Sequence, residues 1–265
     1  MISFQEKIKN ISETKKFLCV GLDPRVEQLP SPFSKDPQSF IKFCQEIISA
    51  TSQYAGAFKP NMAYFECFGA KGLEILKEII DFIPKDKLII LDAKRGDIGE
   101  TSKAYARMAF EYFNADSITL SPYMGFDSLS PFFEYDQKGS FLLCLTSNPS
   151  AKDFELPKLY LEVAAKAQEW NQKNNVGLVV GATQTEQIAQ IRSVFSSGPF
   201  LIPGVGAQGG DLKESILKGK GKQTGAVPLI NASRSILFAS KEQDFAMAAA
   251  KEAQKLAEQI TAVNA

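Results

Sequence analysis

Short apolar segments recur along the chain and are separated by longer amphipathic stretches. The apolar segments cover residues 17–23, 56–61, 87–94, 117–122, 141–146, 176–182, 200–206 and 228–233. Most of them are apolar at nearly every position, which is the pattern of parallel β-strands buried on both faces. We therefore predict eight strands, one for each segment.

The stretches between these strands mostly have the periodicity of amphipathic helices. Three show a clear apolar stripe, formed by Phe40, Ile41, Cys44, Ile47 and Ile48, by Leu73, Leu76, Ile80 and Ile83, and by Phe245, Ala249, Ala253, Leu256 and Ile260. Alternating strands and helices indicate a parallel sheet, and eight strands indicate that the sheet closes. The prediction is a single (β/α)8 TIM barrel domain over residues 1–265.

An open, doubly wound sheet is the alternative fold. Such a sheet normally has a glycine-rich dinucleotide fingerprint after an early strand. The turn after the first predicted strand, GLDPRVEQLP at 21–30, lacks that fingerprint. The length of 265 residues is also ordinary for one barrel, so the barrel is favoured.

Charge and cysteine content limit which partners and which cellular compartment we expect for the protein. The chain has 30 basic and 30 acidic residues, so we expect no nucleic-acid partner, which would require a basic excess. The amphipathic N-terminus lacks the apolar core of a signal peptide, and no run approaches the roughly 20 apolar residues of a membrane span. Four scattered cysteines without a C-x-x-C pair fit a reducing compartment. We expect a cytoplasmic protein with no membrane partner.

The sequence contains no histidine. Its absence excludes Ser-His-Asp triads, Cys-His dyads, acid–base catalysis by histidine and most catalytic zinc sites. Proton transfer must therefore be assigned to Lys, Asp, Glu, Tyr or Cys, and we expect no metal in the site.

Charged side chains stand at the ends of two neighbouring strands, where barrels of this type place their active sites. Asp92 and Lys94 are two residues apart, so strand alternation would put both on one face. Lys59 ends the preceding strand, and Asp97 follows in the loop. An acid and a base pointing into an apolar barrel must be paired or functional. An ion pair that only sets strand register is the alternative, but charged ends recur on adjacent strands, which favours an active site.

A glycine-rich loop, GVGAQGGD at 204–211, is a candidate anion site and contains Gly206 and Gln208. Glycines let a ligand approach the backbone closely, and backbone N–H groups at a helix start bind anions. Arg234, just after the eighth strand, can add a bidentate guanidinium. Because barrels often bind phosphate after strands seven and eight, we expect a phosphorylated small-molecule substrate.

Polar residues also end the first and fifth strands. Asp23 ends the first, and residues 146–148, which include Ser147, end the fifth. The hydroxyl and amide groups at 146–148 could bind a polar heterocycle or sugar, or they could form a turn with a helix cap.

These residues match a known family. The segment DAKRGDIGET at 92–101 resembles the D-x-K-x-x-D-I motif of the orotidine 5′-phosphate decarboxylase family, in its bacterial form D-x-K-R-G-D-I-G-x-T. The resemblance covers the whole chain in the family's order, with GLDPR at 21–25, FKPN at 58–61, TSNP at 146–149, PGVGAQGGD at 203–211 and NASRSI at 231–236.

The resemblance implies a charged network of Lys59, Asp92, Lys94 and Asp97, in which Lys94 would be the proton donor. Asp97 and Thr101 would reach into the site of a second copy, which implies a homodimer with shared active sites.

The resemblance also implies how the substrate is bound. Asp23 would bind the ribose hydroxyls beside Lys59, and Ser147 would contact the pyrimidine ring. Gln208 and Arg234, together with the loop at Gly206, would hold the 5′-phosphate.

The implied reaction converts orotidine 5′-monophosphate to uridine 5′-monophosphate and CO₂, the last step of de novo UMP synthesis. Loss of CO₂ leaves a carbanion at C6 without an electron sink, and the sequence has no PLP, thiamine or metal motif. We therefore expect no cofactor and electrostatic stabilisation of the carbanion, with Asp92 and Asp97 keeping Lys94 charged. We expect the preceding step to reside on another chain.

Three alternatives stay open at this point. A lysine in a barrel could form a Schiff base, as in class I aldolases acting on phosphosugars, but two flanking aspartates oppose the neutral amine that this chemistry needs. A metal-assisted phosphopentulose lyase or synthase can share the D-x-K-x-x-D motif. A phosphate-ligand-binding barrel without catalysis is the third alternative.

Overall fold

A computed structural model describes residues 2–205 and 210–264, and within them eight parallel strands close into a barrel in chain order. The strands are β1 (Leu18–Leu22), β2 (Ala57–Pro60), β3 (Leu88–Arg95), β4 (Ser117–Leu120), β5 (Gly139–Leu145), β6 (Val176–Val180), β7 (Phe200–Pro203) and β8 (Pro228–Ala232). Pairing of β8 with β1 closes the ring. The predicted TIM barrel is confirmed.

Helices alternate with the strands and cover the outside of the barrel. They are α1 (Phe4–Thr14), α2 (Ser39–Thr51), α3 (Ala63–Glu66), α4 (Gly69–Phe82), α5 (Gly99–Arg107), α6 (Phe126–Phe133), α7 (Ala151–Phe154), α8 (Tyr160–Trp170), α9 (Thr185–Val194), α10 (Leu212–Gly219), α11 (Arg234–Leu237) and α12 (Phe245–Asn264). A π-helical turn at Met108–Tyr112 follows α5, and a segment at Glu155–Leu159 that is kinked at Leu156 follows α7. The fold thus repeats the strand–helix unit that the apolar pattern predicts.

Burial explains why the strand segments are apolar throughout. Every residue of β1 and β2 is buried, because one face of each strand lines the barrel and the other packs against helices. The stripe predicted in α4 is present but wider: Leu76, Ile80 and Ile83 are buried as predicted, Ile75 and Ile79 are buried beside them, and Leu73 is half-buried.

Helix α1 closes the N-terminal end of the barrel. Its first turn is fixed by a capping box in which Ser3 and Glu6 bond to each other's backbone N–H groups. Lys7, on the buried side of α1, reaches residues that immediately precede β3 and β4, donating to the Lys87 carbonyl and to Asp116. The opposite end of the barrel, where the strands terminate, is left for the site.

None of the helices among the described residues is both long enough and apolar enough to cross a membrane.

Candidate active site

A cavity of about 390 Å³ opens at the carboxyl ends of the strands. Its volume is in the range of small-molecule sites. The loops and strand ends that line it contribute Asp23, Arg25, Lys59, Asn61, Tyr64, Asp92, Pro203, Gly204, Val205, Asn231, Ala232, Ser233, Arg234 and Ser235. The lining therefore brings together the predicted residues Asp23, Lys59, Asp92 and Arg234.

Three charged side chains form a connected triad, of which Lys59 and Asp92 line this cavity and Lys94 lies outside its lining. Lys59 donates from Nζ to Asp92 Oδ2 at 2.7 Å, and Lys94 donates from Nζ to Asp92 Oδ1 at 2.6 Å. The Lys59 and Asp92 side chains are only 6% and 8% exposed, whereas Lys94 is 48% exposed. The triad has one more positive than negative charge, and the ammonium of Lys94 is its accessible end.

Burial and the neighbouring charges shift the pKa values of Asp92 and Lys59 in opposite directions. Burial alone would raise the pKa of Asp92, but the two neighbouring ammonium groups outweigh burial and hold that pKa well below its ordinary value. Burial alone would lower the pKa of Lys59, yet the carboxylates of Asp92 and Asp23 raise it above its ordinary value. Both groups are therefore charged at neutral pH.

Strand β3 is irregular at the triad, which the simple alternation of side chains did not predict. Ile90 and Leu91 pair with Ser117 and Ile118 on β4, but the next pair is Arg95 with Leu120. Three residues of β3 thus oppose one residue of β4. Lys94 has a φ of 49°, in the left-handed region that non-glycine residues seldom adopt. The Asp92–Lys94 contact depends on this bulge and not on regular alternation.

Asp97 and Thr101 lie apart from the triad. Asp97 accepts a hydrogen bond from the backbone N–H of Ile98 at 2.8 Å. Among the described residues, no hydrogen bond or ion pair joins Asp97 to Lys94. Thr101 is exposed on α5. Neither residue lines the cavity of this copy.

The loop after β5 has its own support. Glu155 accepts hydrogen bonds from the backbone N–H of Thr146 at 2.6 Å and from the Thr146 hydroxyl at 2.9 Å. On the other side, a Cβ at Gly181 would lie 2.8 Å from the nitrogen of Ser147, so only glycine permits this approach. Ser147 is half-buried and outside the lining of the cavity described above.

The predicted anion site is described only in part. Gly206 and Gln208 lie outside the described residues. Arg234 is exposed at the start of α11 and makes no ion pair within the described part of the chain. The sequence did not single out Arg25, which lines the same cavity and donates to the hydroxyl of Tyr64 at 3.1 Å.

Asp23 offers an unsatisfied acceptor to the cavity. Its Oδ1 atom is buried and has no hydrogen-bond partner among the described residues. A buried carboxylate oxygen without a donor is costly, and a ligand hydroxyl would satisfy it. Asp23 therefore presents a free acceptor at the cavity.

Three further residues of the site were missed by the sequence reading. Thr119 donates to Asp92 Oδ1 at 2.9 Å, Glu155 supports the β5 loop, and Asn231 lines the cavity. The available signal was a polar residue inside a buried strand, since Thr119 lies within the apolar run of β4 and Asn231 within that of β8. A buried polar side chain requires a partner, and for Thr119 that partner is Asp92, near the end of β3.

Known proteins match the chain over nearly its whole length. The family model described as orotidine 5′-phosphate decarboxylase / HUMPS family matches residues 16–250. The orotidine 5′-phosphate decarboxylase of Dehalococcoides mccartyi (strain BAV1) is 46% identical over 269 aligned residues, which cover 98% of this chain and 97% of that protein.

Solved structures agree with these sequence matches. Leishmania donovani OMP decarboxylase superposes with a TM-score of 0.87 at 40% identity, covering 98% of each chain. Leishmania donovani UMP synthase superposes with a TM-score of 0.88 at 41% identity over 99% of this chain, which spans 57% of that longer protein. The chain belongs to the orotidine 5′-phosphate decarboxylase / HUMPS family.

Proposed function

We propose that this protein decarboxylates orotidine 5′-monophosphate to uridine 5′-monophosphate and CO₂. The single observation that supports this most is the Lys59–Asp92–Lys94 triad, which places a half-exposed ammonium beside a cavity in a chain of this family. In the reaction the bond from C6 to the carboxylate breaks, and its electron pair stays on C6. The carbanion that forms needs a positive charge and then a proton.

The triad supplies both. The extra positive charge of the triad stabilises negative charge that develops at C6, in a partly desolvated site where such interactions are strong. Lys94 then gives its proton to C6 and is reprotonated from solvent, which its half-exposed side chain permits. Lys59 and Asp92 are buried and keep each other charged. They therefore hold Lys94 in place while Asp92 does not accept its proton.

The remaining contacts position the substrate. Asp23 binds the ribose hydroxyls with its unsatisfied oxygen. Arg234 binds the 5′-phosphate together with the loop that holds Gly206 and Gln208, and Ser147 contacts the pyrimidine. Binding energy from the phosphate holds the ring in register with Lys94.

Turnover tests this proposal directly. Purified protein is mixed with orotidine 5′-monophosphate in the presence of EDTA, and the ultraviolet absorbance change is followed. Formation of uridine 5′-monophosphate is expected. Absence of turnover by the folded protein would overturn the proposal, and turnover that requires a metal would favour a metal-assisted lyase.

The phosphate assignment has a separate test. Arg234→Ala should raise KM far more than it lowers kcat, because the guanidinium contacts the phosphate and not the reacting carbon. Inorganic phosphite added to a substrate without the phosphate should partly restore the rate in the unsubstituted protein. Normal substrate binding by Arg234→Ala would show that the phosphate lies elsewhere.

We also propose that two copies pair and complete each other's sites. Large apolar side chains are exposed beside Asp97: Ile98 is 57% exposed, Tyr123 85% and Phe126 51%. The backbones adjoin, since a Cβ at Gly96 would lie 3.2 Å from the carbonyl of Ser121. An apolar face next to a carboxylate that is not engaged with its own Lys94 suits pairing with a second copy. Asp97 and Thr101 would then reach the partner's triad.

Mixing two inactive variants tests the shared site. Lys94→Ala and Asp97→Asn should each be inactive alone. Mixed in equal amounts and allowed to exchange subunits, they should recover about one quarter of normal activity, since half of the dimers are hybrids with one intact site of two. No recovery in hybrids that have been shown to form would mean that each copy uses its own Asp97.

A further inference from the structure

We infer that Thr119 is a positioning residue for the proposed decarboxylation: its hydroxyl fixes both the backbone of Lys94 and the carboxylate of Asp92. This inference rests on the proposed function, because it assigns Thr119 a part in delivering the Lys94 ammonium. Thr119 is on β4 and only 1% exposed, so it acts from behind the triad and not from the cavity.

The hydroxyl of Thr119 makes three hydrogen bonds. It accepts from the backbone N–H groups of Ala93 and Lys94, both at 3.0 Å, and donates to Asp92 Oδ1 at 2.9 Å. A hydroxyl has one donor and two acceptor positions. All three are used, and each is directed at one of three consecutive residues of β3.

The strand irregularity explains why a side chain is needed at this place. Asp92, Ala93 and Lys94 lie between two regular β3–β4 pairs, and Thr119 is the one residue that opposes them. Two successive N–H groups of the bulge therefore point at a single residue. One oxygen with two lone pairs can accept from both, and backbone N–H groups that are partly buried are costly when left unpaired.

The same contact stabilises an unfavourable backbone conformation. A φ of 49° is unfavourable for a non-glycine residue relative to ordinary strand geometry. The hydrogen bond to the N–H of Lys94 offsets this cost. The conformation turns the Lys94 side chain back so that Nζ reaches Asp92 Oδ1 within its own strand.

Thr119 and Lys94 share one acceptor atom. Both donate to Asp92 Oδ1, while Lys59 occupies Oδ2. The hydroxyl therefore fixes the rotation of the carboxylate, and with it the direction in which Lys94 is held. Loss of the hydroxyl frees the carboxylate to rotate and the bulge to relax, so that the ammonium no longer lies at a defined place.

The test compares Thr119→Val, which keeps the shape and removes the hydroxyl, with Thr119→Ser, which keeps the hydroxyl. Thr119→Val should lower kcat about 10- to 100-fold, as expected for loss of hydrogen bonds to a charged group. Its KM and its affinity for uridine 5′-monophosphate should stay within about threefold, because Thr119 does not line the cavity. Thr119→Ser should retain kcat within about threefold.

A matched control separates positioning from stability. Thr51, at the end of α2, is equally buried and donates to the carbonyl of Ile47 at 2.7 Å, remote from the site. Thr51→Val should lower the melting temperature without changing kcat. If Thr119→Val behaves in the same way, with normal kcat in the folded protein, Thr119 is only structural and the inference is overturned.

Two measurements do not depend on activity. Amide hydrogen exchange of the unsubstituted protein should show Ala93 and Lys94 protected to a similar degree as their β3 neighbours, and fast exchange at both would overturn the inference even if Thr119→Val fails to fold. A crystal structure of Thr119→Val should show Lys94 displaced from Asp92. If that structure retains the left-handed backbone and the Lys94–Asp92 contact, the inference about Thr119 is overturned. An inactive unsubstituted protein would overturn only the proposed function.

Discussion

The two ends of this barrel each hold a buried lysine–aspartate pair, and the pairs do different things. At the closed end, Lys7 and Asp116 are 2.6 Å apart and their side chains are 5% and 10% exposed. At the open end, Lys59 and Asp92 are 2.7 Å apart and 6% and 8% exposed. Burial and distance alone do not distinguish the two pairs.

The difference lies in what else each pair contacts. Lys7 also donates to the Lys87 carbonyl, and Asp116 also accepts from the N–H of Ile89, so the closed-end pair is neutral and bonded to backbone. Asp92 instead has a second lysine, Lys94, whose ammonium faces solvent. A buried ion pair becomes chemically useful when it has surplus charge and one accessible member. An ion pair that only sets strand register was the alternative interpretation of the charged strand ends. The closed-end pair, and not the triad, fits that role.

Among the changes that test this comparison of the two pairs, removal of the Lys94 side chain should have the largest effect on the catalytic rate. Lys94→Ala removes both the charge and the proton, so kcat should fall by about 10⁴-fold or more, while the melting temperature changes by only a few degrees because the side chain is half-exposed. Ultraviolet absorbance with orotidine 5′-monophosphate measures the rate. Lys103→Ala, which removes an exposed lysine of α5, is the control. Turnover above about one hundredth of normal would show that Lys94 is not the proton donor.

Breaking the closed-end pair should lower the stability of the protein and leave its catalytic rate unchanged. Lys7→Met leaves the Asp116 carboxylate buried without its cation, which should lower the free energy of unfolding by about 3–5 kcal/mol and leave kcat unchanged at temperatures where the protein is folded. Denaturant unfolding and steady-state kinetics measure the two effects. Lys9→Met removes an exposed lysine from the same helix and should change neither. The Lys7→Met/Asp116→Asn double variant should recover part of the stability. A lower kcat in folded Lys7→Met would mean that the two ends are coupled.

The open-end pair should also show a defined pH window. The pKa of Asp92 is lowered from 3.8, so its contribution to stability is complete above about pH 4 and is lost as pH falls toward the folded value. The pKa of Lys59 is raised from 10.5, so its contribution is complete below that pH and is lost as pH rises further. The gap in unfolding free energy between the parent protein and Asp92→Asn should be flat from pH 5 to 9 and narrow outside it. A gap that changes near neutral pH would contradict the assigned charges.

Glu155→Gln should have the smallest effect, because Glu155 binds the neutral Thr146 and, within the described residues, forms no ion pair with a lysine. Glu155→Gln keeps one acceptor for Thr146 and should raise KM about fivefold with kcat within twofold, as a weakened charge-assisted hydrogen bond shifts the β5 loop. Glu162→Gln, on the exposed face of α8, is the control. A fall in kcat with KM unchanged would place Glu155 in the charge network instead of the binding loop.

The sequence predicted the barrel because its information is local. Apolar runs mark strands that are buried on both faces, and β3, predicted at 87–94, is found at Leu88–Arg95. The charged strand ends were also readable, since the positions of Lys59, Asp92 and Lys94 follow from where strands end.

Residues whose role depends on a distant partner could not be predicted in this way. Lys7 was not singled out in the sequence, although it lies one turn from Phe4 on the buried side of α1. Its partner Asp116 is more than a hundred residues away. Thr119 lies in an apolar run, and the bulge opposite it leaves no mark in the spacing of β3. Regular alternation placed Lys94 beside Asp92 for the wrong geometric reason.

The left-handed turn at Lys94 limits how this chemistry could be transplanted. Grafting the tripeptide Asp92–Ala93–Lys94 onto a regular strand of another barrel would transfer the residue types without the backbone conformation that brings Lys94 to Asp92. The recipient would also need a bulge with two extra residues, and a hydroxyl on the neighbouring strand to accept from two backbone N–H groups. The smallest portable unit is therefore a pair of adjacent strands, and libraries that vary one strand at a time would not find it.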